Sequence, residues 1–163
     1  VNKPPATPVR ATVHTIDDRS ARIERVFNAP RAKVWRAHTD AALVAQWWGR
    51  GNPLTVEKFE PVKGGHWRFV EHSDHGNHGF EGRYREVTPE TLISYTFEWD
   101  GMPGHVIVET VNFEEIDGGA RTRLVIDASF HTAEDCAGML SSGMEEGMNQ
   151  SYAALDAVLE AMR

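Results

Sequence analysis

The chain has 163 residues, a length that suits one hydrophobic core and is short for two. Its 17 Lys and Arg against 24 Asp and Glu give a formal charge of −7, the wrong sign for a surface that holds nucleic acid or anionic lipid nonspecifically. Cys136 is the only cysteine, which excludes an intrachain disulfide and makes a reducing cytoplasm the expected compartment.

The opening VNKPPATPVR lacks the apolar run of a signal peptide, and nowhere do about 20 apolar residues follow one another, so membrane insertion is not expected. Pro4, Pro5 and Pro8 favour a flexible tail over residues 1–15, with pairing to a sheet edge as the alternative, and a folded domain over 16–163. Residues 21–29 read as a strand built on Ile23, Val26 and Phe27. Pro30 suits the first turn of a short helix with Val34 and His38 on one stripe. Asp40 can cap a second short helix through Ala41 to Trp47, ended by Gly49 and Gly51.

After Pro53 the period shortens. Residues 54–59, 66–72, 80–87, 92–99, 105–115 and 121–131 read as strands, divided by turn signals at 63–65, 88–90, 100–101 and 117–119. Links this short favour antiparallel pairing, because parallel neighbours need crossovers of about a dozen residues or more. Residues 140–162 return to a helical period through Leu140, Met144, Met148, Tyr152, Leu155, Leu159 and Met162. At 1.5 Å per residue this predicts a helix roughly 33 Å long lying across the sheet. Gly143 and Gly147 weaken it, which suits close approach of a neighbour or room for a ligand.

Alternation assigns inner faces. Leu124, Ile126, Ala128 and Phe130 share one, Val111 and Phe113 another, and Tyr95, Phe97 and Trp99 a third. The parity of Val111 carries Glu109 inward, where a carboxyl resists ionisation and suits a hydrogen-bond anchor or proton donor. A local twist, or pairing with Arg123, is the structural alternative. Trp47 and Trp48 point about 100° apart on a helix, so Trp47 is expected in the core and Trp48 at a pocket mouth. His72, His75 and His78 carry metal-binding chemistry, but on a Gly-rich turn whose spacing does not force convergence, so no metal is assigned. Cys136 has His131 and Asp135 near in sequence without an evident oxyanion hole. Phosphate-loop, dinucleotide and HExxH motifs are absent, and no cofactor is expected.

The segments PRAKVW, LVAQWWG, VKGGHWRF, FEGRYREVTPETLISYTFEW and GMNQSYAALDAVL resemble, in order, the activator of heat-shock-protein ATPase homologue family of the START-like (SRPBCC) superfamily. The resemblance implies an α+β helix-grip fold: a curved antiparallel sheet, two short helices after the first strand, and a long C-terminal helix over the sheet. It also implies a hydrophobic ligand between sheet and helix, lined here by Trp48, Trp67, Phe69, Tyr84, Phe97, Glu109, Val111, Leu124, Met144, Met148 and Tyr152. Where family members commonly carry an aromatic residue after the helix glycine, this chain has Met148, a more adaptable wall. The expected function is binding of a hydrophobic or amphipathic small molecule. Alternatives are a cyclase, dehydratase or hydrolase using Glu109, and a cochaperone-like interaction module. Pairing of two copies through a sheet edge or helix surface stays open.

Overall fold

A computed structural model of the protein describes residues 10–162. Among them are strands β1 (Thr12–Asp17), β2 (Ser20–Phe27), β3 (Leu54–Phe59), β4 (His66–Ser73), β5 (Gly76–Thr88), β6 (Leu92–Trp99), β7 (Ile107–Ile116) and β8 (Arg121–Ser129). The helices are α1 (Arg31–Thr39), α2 (Ala41–Trp47), α3 (Ala133–Ser141) and α4 (Met144–Ala161). All strands pair antiparallel in one curved sheet of order β1-β2-β8-β7-β6-β5-β4-β3. A register irregularity between Tyr84 and Glu86 breaks the long β5 against β6, the kind of bulge that bends a strand.

Local signals explain most boundaries. Asp40 accepts hydrogen bonds from the backbone N–H groups of Ala42 and Leu43 at 3.0 and 3.3 Å, which starts α2 where expected. Asp117–Gly119 forms the tight turn between β7 and β8, with Gly118 at φ 65°.

Two expectations are corrected. The segment assigned to a tail contains β1, which pairs with β2 from Thr12 opposite Glu24 onward; residues 1–9 lie outside the described residues. Sheet hydrogen bonds in place of apolar alternation hold β1, so the sequence pattern was faint. The C-terminal helix is also divided. Gly143 adopts φ 83°, a left-handed conformation that ends α3 and starts α4, so α4 spans about 27 Å and Leu140 belongs to α3.

The inner face carries two apolar clusters. α4 covers the larger, with Tyr152, Leu155, Val158 and Leu159 buried against Phe27, Val111 and Leu124. α3 covers the smaller, where Cys136 is buried with Ala21, Ile107, Ala128 and Phe130, and Leu140 packs alongside. α4 packs beside α1, α2 and α3, and its side chains meet those of the strands beneath it.

Ion pairs hold that arrangement. Arg25, whose side chain is 3% exposed, clamps Asp156 of α4 with bonds of 2.7 and 2.6 Å and lies 4.5 Å over the Phe27 ring. At the other end, Glu71 on β4 is 2% exposed and takes both arms of Arg50, at 2.9 and 2.7 Å, plus Asn52 at 3.3 Å. Burial pushes the Glu71 carboxyl up, but Arg50 and Asn52 outweigh it and hold it below the usual range. Arg50 sits at φ 58°, and its backbone N–H donates to Ser151 Oγ on α4 at 3.1 Å. Ser151 in turn donates to the Trp48 carbonyl at 3.0 Å. Gly147 leaves room for this fit, because a Cβ there would meet Arg50 Cδ at 2.9 Å and make the arginine shift.

His38 is a second constrained ionisable group. Its Nδ1 lies 2.7 Å from the Val34 carbonyl and its ring contacts Trp47 and Phe113 at 4.9 and 5.2 Å. Burial lowers its pKa to about 4, against a small opposing effect of the Val34 carbonyl.

Arg50→Ala should cost about 2 kcal/mol in urea unfolding, because Glu71 loses its charge-assisted hydrogen bonds, while the vacated, half-exposed site of Arg50 lets water reach it. Glu71→Gln should cost less; equal or reversed losses would show that the pair does not carry the corner. With an unfolded His pKa near 6.5 and a folded one of about 4, the His38 contribution is complete above pH 6.5 and lost as pH falls from there to 4, by about 3 kcal/mol. His38→Phe should flatten stability against pH in that window, and an unchanged slope would assign the loss elsewhere.

Candidate functional site

Strand register sets a row of inward residues across the sheet. Tyr84 lies opposite Tyr95, Tyr95 opposite Glu109, Glu109 opposite Ala128, and Ala128 opposite Ala21. The row runs along the boundary of the two clusters, with Val111 and Ile126 on one side and Ile107 and Phe130 on the other. Tyr95 Oη donates to Glu109 Oε2 at 2.5 Å. Arg123, the alternative partner, instead lies 3.8 Å from Glu114 on the outer face. Among the described residues Glu109 forms no ion pair, and the hydroxyls of Tyr84 and Tyr152 make no hydrogen bond.

Burial raises the Glu109 pKa, partly offset by the Tyr95 hydrogen bond. The Tyr95 hydroxyl is pushed well above its ordinary value by burial first and by Glu109 second. Tyr152, whose ring packs on Phe27 and Trp47 at 5.2 and 6.3 Å, has its hydroxyl raised by burial and then by the charge of Glu109, against an opposing effect of Arg25. This row can therefore accept, donate or hold a proton next to apolar surface.

Beyond Tyr95 the face is aromatic. Trp48, at the end of α2, reaches over the sheet and has ring centroids of Phe69, Phe80, Trp67 and Phe97 at 5.1, 5.2, 6.0 and 6.3 Å. Trp67 also touches Tyr95 at 5.9 Å, which links this roof to the polar row. Its neighbour Trp47 is buried and donates from Nε1 to the Ala37 carbonyl at 2.9 Å. The two tryptophans thus divide as their angular separation predicts.

The sequence-derived candidates come together. Trp67, Phe69, Tyr84, Val111, Leu124 and Tyr152 are buried in the larger cluster, with Trp48, Phe97, Met144 and Met148 half-buried against it and Glu109 beside Tyr95. Two surface depressions lie elsewhere. One of about 270 Å³ lies between α1, α2 and the end of α4, at Arg36, Leu43, Gln46 and Val158. The other, about 200 Å³, is on the outer sheet face near Arg83 and Thr96. Trp99, expected inward with Tyr95 and Phe97, is 38% exposed at the strand end and stacks over Gly101.

The histidine run is hairpin rather than loose loop. His72 bonds Thr55 at 2.7 Å and Asn77 at 2.9 Å, whereas His78 lies opposite Glu71 in register. Adjacent residues of a strand face opposite ways, so His72 and His78 do not converge. Among the described residues no three His, Cys, Asp or Glu side chains are arranged to hold a metal. Cys136 is buried, with its thiol raised by burial and by Asp17 and Asp18, and Asp135 bonds His105 at 2.8 Å. No activated thiol results. The Arg50–Glu71–Ser151 corner was missed, although Glu71 shares the inward parity of Trp67 and Phe69.

A curved antiparallel sheet gripped by a C-terminal helix, with a mixed aromatic and polar inner face, is the helix-grip, START-like class of protein. Residues 28–160 match the family described as Activator of Hsp90 ATPase homolog 1-like protein, and the chain belongs to it. A crystal structure from Rhodobacter sphaeroides superposes with a TM-score of 0.84 at 27% identity, covering 94% of this chain and 99% of that one. A solution structure from Arthrobacter aurescens gives 0.82 at 25% identity, covering 96% and 94%. A crystal structure from Mycobacterium smegmatis, at 0.81 and 23% identity over 94% and 99%, speaks to fold alone. No curated protein matches the chain. No helix of the described residues is long and apolar enough to cross a membrane.

Tyr95→Phe removes the donor that stabilises ionised Glu109. It should raise the Glu109 titration midpoint, followed by carboxyl carbon NMR, and cost about 1–2 kcal/mol of stability. A midpoint that stays or falls would remove Tyr95 from this role.

Proposed function

We propose that this protein binds a hydrophobic or amphipathic small molecule, with an aromatic or extended apolar body, between the inner sheet face and α4. The observation that carries the reading is the side-chain layer beneath α4. Between helix and sheet, the half-buried Trp48, Phe97, Met144 and Met148 pack against the larger apolar cluster. Unbranched methionines repack at small cost, so this layer can part around an apolar body. Concave apolar surface with a few polar groups is the usual composition of a small-molecule site, and the Tyr95–Glu109 pair supplies the polar part.

A second reading, an enzyme, is favoured by the raised Glu109 pKa, which suits a general acid. It would use the same layer to hold a reactive substrate. Glu109→Gln separates the two, since an enzyme loses turnover more than affinity.

Native mass spectrometry of freshly purified protein should show a retained small molecule, or saturable uptake of an uncharged probe such as Nile red. Trp48→Ala should weaken that uptake by ~10-fold, the order of about 1.4 kcal/mol for one lost aromatic wall. No retained species and no saturable probe binding would reject the reading.

A further inference from the structure

The polar chemistry beneath α4 is one-sided. Every polar group on the inward row is a hydroxyl or a carboxyl: Tyr84 from β5, Tyr95 from β6, Glu109 from β7, and Tyr152 facing them from α4. The nearby cations are committed elsewhere. Arg25 on β2 is clamped to Asp156, and Arg50, after α2, to Glu71. His38 on α1 packs against Phe113 and stays neutral at pH 7.

We propose that the Glu109–Tyr95 pair is a specificity device: it admits a ligand whose buried polar end is an uncharged hydroxyl and rejects the corresponding carboxylate. The inference rests on the binding reading above and adds the class of ligand.

Hydrogen-bond capacity leads to this class. Tyr95 occupies Glu109 Oε2, which leaves Oε1 as an acceptor. Tyr152, whose hydroxyl feels the charge of Glu109, makes no side-chain hydrogen bond among the described residues. A ligand hydroxyl can donate to Glu109 and accept from tyrosine, so both groups are satisfied. A ligand carboxylate can only accept. It brings negative charge beside Glu109 into apolar surroundings where the cation that acts on Tyr152, Arg25, is already bonded to Asp156, and burying a charge without its own partner is costly. A ligand amine could pair with Glu109, but both partners would then lose hydration, which offsets much of the attraction.

Matched probes test this: naphthalene carrying a hydroxymethyl, a carboxylate or an aminomethyl group, titrated calorimetrically into the full chain at pH 7. The alcohol should bind at least ~10-fold more tightly than the carboxylate, and more tightly than the amine. Glu109→Gln offers an amide N–H to an anion in place of the carboxyl, so the alcohol-to-carboxylate ratio should shrink several-fold. A carboxylate or amine that binds wild type best overturns the proposal, as does a ratio that Glu109→Gln leaves unchanged. Should that variant fail to fold, the wild-type ratio decides. Equal binding of all three probes overturns the selectivity and leaves the binding reading standing, whereas no saturable binding of any probe overturns both.

Discussion

The pair formed by the buried Glu71 carboxylate and the half-exposed Arg50 guanidinium fixes the corner where α2, β4 and α4 meet, and the positions of the other inner-face groups depend on it. Glu71 is inward on a strand among Trp67 and Phe69, where an unpaired carboxylate would be strongly unfavourable. Arg50 meets it only by taking a left-handed backbone conformation between two glycines, a geometry that a side-chain-bearing residue adopts at some cost. That conformation brings the Arg50 N–H and the Trp48 carbonyl to the single hydroxyl of Ser151. The Trp48 ring is thereby held over the aromatic face, and α4 is held at a set height, with Gly147 leaving space for the arginine.

The interior beneath α4 is mixed in character, and among the described residues Glu109 forms no ion pair there. Here the carboxyl lies on the seam between two clusters, one under α3 and one under α4, and the tyrosine opposite it in register supplies its hydrogen bond. The break at Gly143 is part of the same design, because one straight helix could not cover both clusters. Polar groups that a stable core would omit are thus kept at one level of the fold, beside side chains able to move.

Much of this was legible in the chain. Period-two alternation located the strands from β3 to β8 and turned Glu109 inward, because the pleat gives parity no freedom within a regular strand. Asp40 and Gly118 marked a cap and a turn by local chemistry. The misses have equally physical causes. β1 is exposed along most of its length and is held by the backbone of β2, so it lacks an apolar signature. Parity applied to His66–Ser73 or Ser20–Phe27 would also have placed Glu71 and Arg25 inside, but nothing local indicates that their partners lie on a loop and on α4.

Local sequence pattern was enough for the order of elements from β2 to β8, the antiparallel sheet, the aromatic and methionine content of the inner face, and the inward direction of Glu109. These follow from periods and turn chemistry acting over a few residues. Tertiary structure alone decided that Tyr95 rather than Arg123 meets Glu109, that Arg25 and Arg50 are neutralised by Asp156 and Glu71, and that the C-terminal helix divides its work with α3. Register between strands and the height of a helix above them are set by contacts between residues far apart in the chain, and no local pattern encodes those distances.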